Sequence, residues 1–269
     1  MENNMNKLLI STFFVLNSAF CVYAADQIPP KPVATCAAQI PYGQPSVKAG
    51  DIIVCRSAYL LSFNPHTKTP DWVSWTLTPE HAIGCVPRVN AFAADQSLAT
   101  TSPKPDDYAG SGYDQGHLAN NADMSWDEGV AKESFLMSNM SPQLPSVNRG
   151  TWKNLESAER AWVYSTQHAH TMYAGDIGGT KTIGADKVVV PDFLFKIVID
   201  DVTKKSYAFL FPHKDGLSAD FAPYQVTVAD IEKATGETFP VPDSKTVKNP
   251  LVPVDLKSIS AEKKNQCKS

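Results

Sequence analysis

The sequence lacks the glycine-rich phosphate loops of most nucleotide-binding proteins. Neither G-x-x-x-x-G-K-[ST] nor G-x-G-x-x-G occurs in the 269 residues, which argues against a nucleotide cofactor. No C-x-x-C pair is present, so the cysteines give no support to a zinc site. The chain also has no internal repeat, and its length fits a single large domain.

Positive charge is scarce for a protein that coats nucleic acid. Lys and Arg together number 24 against 28 Asp and Glu, so the formal net charge is -4. Tight coating of a polyanion depends on many Lys and Arg contacts to phosphate, and this balance argues against it. It leaves room for a catalyst with a local basic patch, because an enzyme must release its product.

Residues 1–24 have the features of a signal peptide. Lys7 supplies positive charge, Leu8–Phe20 is a short apolar run, and Val22-Tyr23-Ala24 is a small-x-small cleavage site. The run is shorter than the roughly 20 residues that a membrane-spanning helix needs. We therefore expect cleavage before Ala25 and an exported protein, periplasmic or secreted, without a membrane anchor.

Removal of that leader leaves an even number of cysteines. One of the five cysteines, Cys21, lies in the leader, and the others are Cys36, Cys55, Cys85 and Cys267. An even count in an exported chain predicts disulfides, here two. Four cysteines allow three pairings, which the sequence does not separate.

The remaining chain divides into an arm and one domain. Residues 25–48 are rich in proline and have little periodicity, which predicts an extended N-terminal arm. Alternating apolar runs over 51–77 predict a hairpin and a further strand, and β-rich runs recur between 171 and 211. We assign the single domain to residues 49–269.

Two helices are predicted in that domain. Large apolar residues and alanines recur at helical spacing from Gly150 to about His168, where Trp152 and Trp162 are expected to face the core. A shorter helix is expected over 226–235, with Thr227 as its cap and Gly236 as its stop.

The stretch from Tyr113 to Asn120, Tyr-Asp-Gln-Gly-His-Leu-Ala-Asn, gives the strongest indication of chemistry. His117 is the candidate general base, because a neutral imidazole accepts a proton near neutral pH. A lone histidine is more often a hydrogen-bonded structural residue, but Asp114 lies close enough to orient this ring or its water network. Gly116 permits a tight backbone path or the close approach of a substrate.

Amide and carboxylate side chains downstream are suited to a weakly held Mg²⁺ ion. Asn148 is either a helix cap or a metal ligand, since Mg²⁺ accepts carboxamide oxygens and needs few protein ligands when phosphate completes its shell. If the helix begins near Asn148, Glu156 lies about 12 Å further along its axis. We therefore expect Glu156 to contact the ion through water.

Arginines near these groups are candidate phosphate clamps. Arg160 follows Glu156 by one helical turn, so the two side chains share a face, with an exposed ion pair as the alternative. The guanidinium groups of Arg160 and Arg88 offer forked donors that match phosphate oxygens. Arg149 and Lys153 add local positive charge.

These residues and their spacing resemble the exported DNA/RNA non-specific endonucleases of the ββα-metal type. The family signature is Asp-Arg-Gly-His, then Asn-x-x-Pro-Gln, then Leu-Asn-x-x-x-Trp and Leu-Glu with an arginine one turn later. The matching segments are Asp114-Gln-Gly-His117, Asn139-Met-Ser-Pro-Gln143, Val147-Asn148-Arg-Gly-Thr-Trp152, Leu155-Glu156 and Arg160. The similarity extends over roughly residues 50–240.

The resemblance implies an α+β fold with a central antiparallel β-sheet flanked by helices and a ββα-metal active-site element. It implies a Mg²⁺-dependent endonuclease, with Mn²⁺ as a substitute ion, that hydrolyses double- and single-stranded DNA and RNA to products carrying 5′ phosphates. No protein partner is evident, and we expect a monomer or a homodimer.

The resemblance also implies a role for each matched residue. His117 is then the general base, Asn148 the direct Mg²⁺ ligand, and Glu156 the group that holds water in the ion's shell. Arg160 and Arg88 contact phosphate in this interpretation, and Asn139 supports the site.

One position departs from the signature: Gln115 stands where the family most often has arginine. The lost positive charge removes a source of transition-state stabilisation that Arg88 and Arg160 would have to supply. Two alternatives stay open: a catalytically weakened homologue that binds nucleic acid, and a metal-dependent phosphodiesterase acting on small nucleotides.

Overall fold

The computed structural model describes residues 29–267. The predicted signal peptide, with Cys21, lies outside the described residues. Within 29–267 the chain forms eleven strands and four α-helices. The strands are β1 (Ile52–Cys55), β2 (Tyr59–Asn64), β3 (Thr69–Leu77), β4 (Asp114–His117), β5 (Met140–Gln143), β6 (His170–Ile177), β7 (Thr182–Ile183), β8 (Val188–Val189), β9 (Phe193–Asp200), β10 (Ser206–Pro212) and β11 (Gln225–Val226). The helices are α1 (Glu128–Glu133), α2 (Lys153–Thr166), α3 (Val228–Thr235) and α4 (Ser258–Gln266).

Seven of these strands make one antiparallel sheet in the order β1-β2-β3-β6-β9-β10-β11. Its inner strands are buried on both faces: every residue of β2 except Asn64 and every residue of β3 except Thr76 is buried. The hairpin and the further strand predicted over 51–77 are both confirmed.

Alternate residues of these strands feed two separate cores. On one face, Leu61 and Val73 pack in a cluster with Trp152 and Leu155 of the segment that leads into and forms α2. On the other face, Leu60 and its neighbours pack with Ile231 of α3. The molecule therefore has three layers, with α2 and α3 on opposite faces of the sheet.

The smaller β4–β5 sheet and α2 together form a β-β-α unit. Asp114 pairs with Gln143 and His117 with Met140 in antiparallel register. Residues 147–152 then form an irregular helical turn in which Gly150 has non-helical angles (φ -106°, ψ -113°). Regular α-helix begins only at Lys153, later than the sequence predicts, because Gly150 interrupts the helical path.

The N-terminal arm is less extended than its proline content predicts. Val33–Gln39 forms 3₁₀-helical turns, and Cys36 in this segment is fully buried. Cys36 forms a disulfide with Cys55 of β1, and the backbone of Lys31 also bonds to Cys55. The covalent link and the buried side chain hold these turns against the sheet.

A second disulfide joins Cys85 to Cys267 at the end of α4. The sequence does not predict α4, because most of its residues are polar and, among its side chains that the structure describes, Ile259 alone is buried. Its position depends on tertiary contacts: α4 packs against α2, and the chain before it accepts a 2.8 Å hydrogen bond from Trp162 Nε1 at the carbonyl of Val252. The predicted count of two disulfides is confirmed.

The shorter predicted helix is confirmed as α3. Thr227 caps it by accepting a hydrogen bond from the backbone of Asp230, and Gly236 ends it in the left-handed conformation at φ 73°. None of the helices within 29–267 is long and apolar enough to cross a membrane.

We predict that the two disulfides stabilise the fold unequally. The cysteines are 182 residues apart in the Cys85–Cys267 pair and 19 apart in the Cys36–Cys55 pair. The entropy of closing these loops in the unfolded chain corresponds to about 5 and about 3 kcal/mol. In urea unfolding, the Cys85→Ala/Cys267→Ala variant should therefore lose more stability than Cys36→Ala/Cys55→Ala, and the reverse order would contradict this prediction.

Candidate active site

The β-β-α unit borders a cleft of about 360 Å³. Its walls come from β4, the segment after it, the irregular turn before α2, the exposed side of α2 and the loop around Arg88. Most of the side chains that line it are amides or cations: Arg88, Gln115, His117, Asn120, Asn121, Ala122, Asn148, Arg149, Lys153, Glu156 and Arg160. Six of the eight predicted site residues therefore meet in one cleft.

His117 lies at the end of β4 in a largely apolar environment. It is 7% exposed, its ring contacts the edge of Phe135 with centroids 4.9 Å apart, and Phe92 is 5.6 Å away. Burial, and to a smaller extent the positive charge of Arg88, lowers the pKa of His117 to about 3. The imidazole is therefore neutral at any pH near neutrality, as proton abstraction requires.

Only one ring nitrogen of His117 is accessible from the cleft. Nε2 is buried and has no hydrogen-bond partner among the described residues. Since His117 nevertheless lines the cleft, its Nδ1 side is the one that faces the cleft.

Arg88 shares the aromatic support of His117. Its guanidinium lies 4.9 Å from the centroid of the Phe135 ring, and its Nε donates to Asn90. Phe135 thus contacts both the candidate base and a candidate phosphate clamp. The positive charge of Arg88 lowers the pKa of His117, which helps to keep the base unprotonated.

Asp114 orients the side chain of Asn148. The amide nitrogen Nδ2 of Asn148 donates to Asp114 Oδ2 at 2.9 Å, so its oxygen is directed away from that carboxylate. Arg149 also binds Asp114, through Nε at 2.8 Å and through a second nitrogen at 2.6 Å. The position of Asp114 therefore differs from the one expected, because it contacts the candidate metal ligand.

The alternative role of Asn148 as a helix cap is wrong. A cap accepts a hydrogen bond from a backbone N–H in the first turn, whereas Asn148 donates its side-chain hydrogen bond to Asp114. The residue that precedes α2 in the cap position is Trp152, whose side chain makes no capping bond. Nothing in the local helix geometry therefore requires an amide at position 148.

Glu156 and Arg160 lie one turn apart on the side of α2 that faces the cleft. Arg160 Nη1 donates to Asp123 Oδ1 at 3.1 Å and to Asn120 Oδ1 at 3.0 Å, so its ion pair is with Asp123. The alternative of an exposed Glu156–Arg160 ion pair is therefore wrong. Burial raises the pKa of Glu156, while the positive charges of Lys196 and Arg160 oppose that rise.

A buried ion pair lies behind Glu156. Lys196 Nζ contacts Glu159 Oε2 at 3.2 Å, and both side chains are fully buried. The ammonium group also lies 4.4 Å from the ring centroid of Trp152. Burial raises the pKa of Glu159, and Lys196 opposes this rise.

Asn139 and Gln115 are the predicted site residues not yet described, and only Gln115 lines the cleft. Asn139 is fully buried outside the cleft and bonds both backbone groups of Ala119, accepting from N at 3.0 Å and donating to O at 2.8 Å. It ties the segment after β4 to the segment before β5. Gln115 lines the cleft, and its amide nitrogen makes two long contacts, 3.5 Å to the Pro105 carbonyl and 4.0 Å to Met137 Sδ.

Gly116 is required by packing inside the β4–β5 sheet. A Cβ atom at this position would lie 2.2 Å from the side chain of Gln143. This steric demand fits the expected tight backbone path, and the close approach of a substrate stays a prediction.

Sequence reasoning missed Asn120 and Asp123. Asn120 lines the cleft. Asp123 forms the ion pair with Arg160 and also accepts a 3.0 Å hydrogen bond from the indole nitrogen of Trp75. The one sequence signal is their position within six residues of His117. Their partners lie on β3 and α2, so the contacts depend on the tertiary fold.

The donor set of the cleft fits a hard divalent cation. The oxygen of Asn148 is free of the Asp114 contact, and Glu156 supplies a partly buried carboxylate on the same cleft. Mg²⁺ is bound in this way, by few protein oxygens together with water and substrate phosphate.

Comparison with known proteins places the cleft in a recognised family. A model of the DNA/RNA non-specific endonuclease family matches residues 38–244. A nuclease of Nostoc sp. is 32% identical over 200 residues, which cover 70% of this chain and 72% of that protein. Mitochondrial endonuclease G of Bos taurus is 30% identical over 218 residues, covering 74% of this chain and 71% of that protein.

A solved structure supports the architecture. A chain in the crystal structure of the EndoG/EndoGI complex aligns with a TM-score of 0.67 at 24% identity, over 76% of this chain and 91% of that chain. At this identity the likeness shows the fold alone, and it confirms the predicted α+β class. Because the family match contains every strand of the main sheet and the whole cleft, the chain belongs to the DNA/RNA non-specific endonuclease family and is a nuclease.

Proposed function

We propose that the protein is an exported, Mg²⁺-dependent endonuclease that hydrolyses phosphodiester bonds of DNA and RNA with little sequence specificity. The observation that carries this proposal is the shared cleft, in which a neutral His117 and an Asn148 amide oriented by Asp114 lie among several cations. Each of these groups has a separate task in breaking a phosphodiester bond.

His117 accepts the proton of the attacking water. Its neutral imidazole has Nδ1 on the cleft side, because Nε2 is buried. A pKa near 3 makes a weak base in the free enzyme, where burial and Arg88 both disfavour the charged ring. A bound phosphate brings negative charge close to both groups, which raises the pKa of the imidazole when the proton must move.

Asn148 would hold Mg²⁺ through its amide oxygen, and Glu156 would hold water next to the ion. When bound, the ion would supply positive charge that neutralises the phosphate and stabilises the leaving oxygen. Asp114 keeps the amide in the required orientation by accepting the hydrogen bond from its nitrogen. Mn²⁺, which also accepts oxygen ligands, is a suitable substitute.

The cations of the cleft bind the nucleic-acid backbone. Arg88, Arg149, Lys153 and Arg160 all line it, although the net charge of the whole chain is negative. Contacts to phosphate carry no direct sequence information, which is consistent with low base specificity. These cations also compensate for Gln115, which leaves an uncharged amide where the family signature most often has arginine.

Export is part of the proposal because of the leader and the cysteines. Residues 1–24 have the composition of a signal peptide, and two disulfides form among the four cysteines that follow it. Disulfides persist in oxidising compartments such as the periplasm and the extracellular space. We infer that the products carry 5′ phosphates, as the resemblance to the family implies.

The substrate and the base are tested together. The oxidised protein should cut plasmid DNA and RNA in Mg²⁺ and lose this activity in EDTA. His117→Ala should reduce kcat/KM by about 10²- to 10⁴-fold, the usual contribution of a general base. His66→Ala, which replaces an exposed histidine outside the cleft, is the matched control and should leave the rate unchanged.

Other outcomes of that assay favour other functions. Binding of plasmid without cleavage would identify a catalytically weakened homologue. Cleavage of a small chromogenic diester with intact plasmid and RNA would identify a phosphodiesterase of small nucleotides. Undiminished cutting by His117→Ala would remove His117 from the role of base.

Two variants separate the contacts that Asp114 makes with Asn148 and with Arg149. Asp114→Ala should raise the Mg²⁺ concentration for half-maximal activity about 10- to 100-fold, because the Asn148 amide loses the group that orients it. Arg149→Ala removes the other partner of Asp114 and leaves the Asn148 contact in place, so its Mg²⁺ requirement should change little. An equal increase in the two variants would show that Arg149 is needed to hold Asp114 in place, because loss of the two opposite charges would shift the Mg²⁺ requirement in opposite directions.

The pH dependence of cleavage tests the burial of His117. Since the pKa of His117 is lowered to about 3, the imidazole stays unprotonated in the free enzyme as the pH falls from 8 to 5. The value of kcat/KM at saturating Mg²⁺ should therefore show no loss from histidine protonation in this range. A tenfold fall per pH unit below about 6.5, the ordinary histidine pKa, would contradict the burial argument.

A further inference from the structure

A second cluster of carboxylates lies outside the catalytic cleft. Asp51 immediately precedes β1, Asp71 belongs to β3, and Glu237 follows the end of α3. Each offers a carboxylate oxygen, and these oxygens all lie within 4.8 Å of one another. Since none of the three residues lines the cleft, the mechanism does not account for their proximity.

Glu237 is buried, and its contact with the ammonium group of Lys48 is long, at 3.5 Å. It is 2% exposed, and neither of its carboxylate oxygens has a hydrogen-bond partner among the described residues. Its oxygen faces the oxygens of Asp51 and Asp71, so like charges adjoin inside the protein. A buried carboxylate in this position requires a compensating cation or a proton.

Lys48 supplies only part of that compensation. Its Nζ lies 2.9 Å from Asp71 Oδ2 and 3.5 Å from Glu237 Oε2, and its side chain is 41% exposed. Three carboxylates against one ammonium group leave a formal charge of two negatives when all are ionised. The partly exposed Lys48 side chain has room to move toward solvent when another cation approaches.

We propose that Asp51, Asp71 and Glu237 bind a divalent cation of the Ca²⁺ type. Carboxylates are the preferred ligands of Ca²⁺, which accepts them in mono- or bidentate form at 2.3–2.6 Å. Two oxygens on opposite sides of such an ion are about 5 Å apart, so the observed spacing allows joint ligation.

Burial favours Ca²⁺ over Mg²⁺ at this position. Asp71 is 6% exposed and Glu237 is 2% exposed, which leaves little access for solvent on their side of the cluster. Mg²⁺ usually keeps several waters and demands near-octahedral geometry, whereas Ca²⁺ tolerates irregular carboxylate shells. Water reaches the ion from the side of the partly exposed Asp51.

The ion would connect three distant parts of the chain. The N-terminal arm already meets the segment after α3 through the Ser46 N–H, which donates to the Thr238 carbonyl at 3.0 Å. Trp72 Nε1 of β3 donates to the Ser46 carbonyl at 3.0 Å. A cation bound by Asp51, Asp71 and Glu237 therefore stabilises the same junction and has no direct contact with the catalytic cleft.

Calorimetric titration of the metal-free protein with Ca²⁺, combined with thermal unfolding, tests this site. The Asn148→Ala variant removes the candidate ligand in the catalytic cleft, and it should still bind one Ca²⁺ and gain in Tm. Asp51→Asn in the Asn148→Ala background should weaken that binding by about tenfold or more, because one carboxylate ligand is lost. Glu237→Gln in the same background should abolish it.

The test does not depend on the folding of Glu237→Gln, which replaces a buried residue. Asp51→Asn changes a partly exposed residue and gives the answer if Glu237→Gln does not fold. Asp106→Asn, which neutralises an exposed acid elsewhere, should leave Ca²⁺ binding unchanged. Nuclease activity of Asp51→Asn in Mg²⁺ should equal that of the unsubstituted protein.

Absence of Ca²⁺ binding by Asn148→Ala would overturn the proposal, as would equal binding by Asp51→Asn in that background. Lys48 and bound protons would then neutralise the cluster. Neither result depends on whether the protein cuts DNA, so the second site and the proposed nuclease mechanism are tested separately.

Discussion

A sheet that is apolar on both faces needs a cover on each, and this constraint positions the catalytic groups. The segment entering α2 buries Trp152 and α2 buries Leu155 against one face, which leaves an adjoining side of the helix to line the cleft beside β4. Glu156 and Arg160 lie on that side. Hydrophobic burial acts independently of the catalytic chemistry, yet it determines where the carboxylate of Glu156 and the guanidinium of Arg160 lie relative to His117.

The cleft combines a base in apolar surroundings with a polar side that is suited to a metal ion. Phe92 and Phe135 pack against His117 and help to keep its imidazole neutral. Asp114, at the other end of β4, holds the side chain of Asn148 in place. The two demands conflict in one environment, since water stabilises ions and apolar contacts exclude them. The apolar surroundings of His117 and the polar contacts of Asp114 lie at opposite ends of β4, which resolves the conflict.

Much of the fold was predictable because local patterns agree with the tertiary structure. The runs of β2 and β3 alternate between two cores, and Thr227 and Gly236 mark the ends of α3 by backbone chemistry that acts within a few residues. Other elements depend on distant contacts. The polar helix α4 and the turns around Cys36 form where a disulfide and a packing partner hold them, and their own residues carry a weak signal.

The sequence by itself determined the family, the candidate base and the residues around it, because the identity and spacing of the His, Asn, Glu and Arg residues are properties of the chain alone. Tertiary structure decided what each contacts. Only the fold pairs Arg160 with Asp123, turns the amide of Asn148 by bonding it to Asp114, and buries Glu237 beside two aspartates. Such pairings join residues far apart in the chain, and the free energy that selects them comes from burial of the whole sheet, which no local pattern contains.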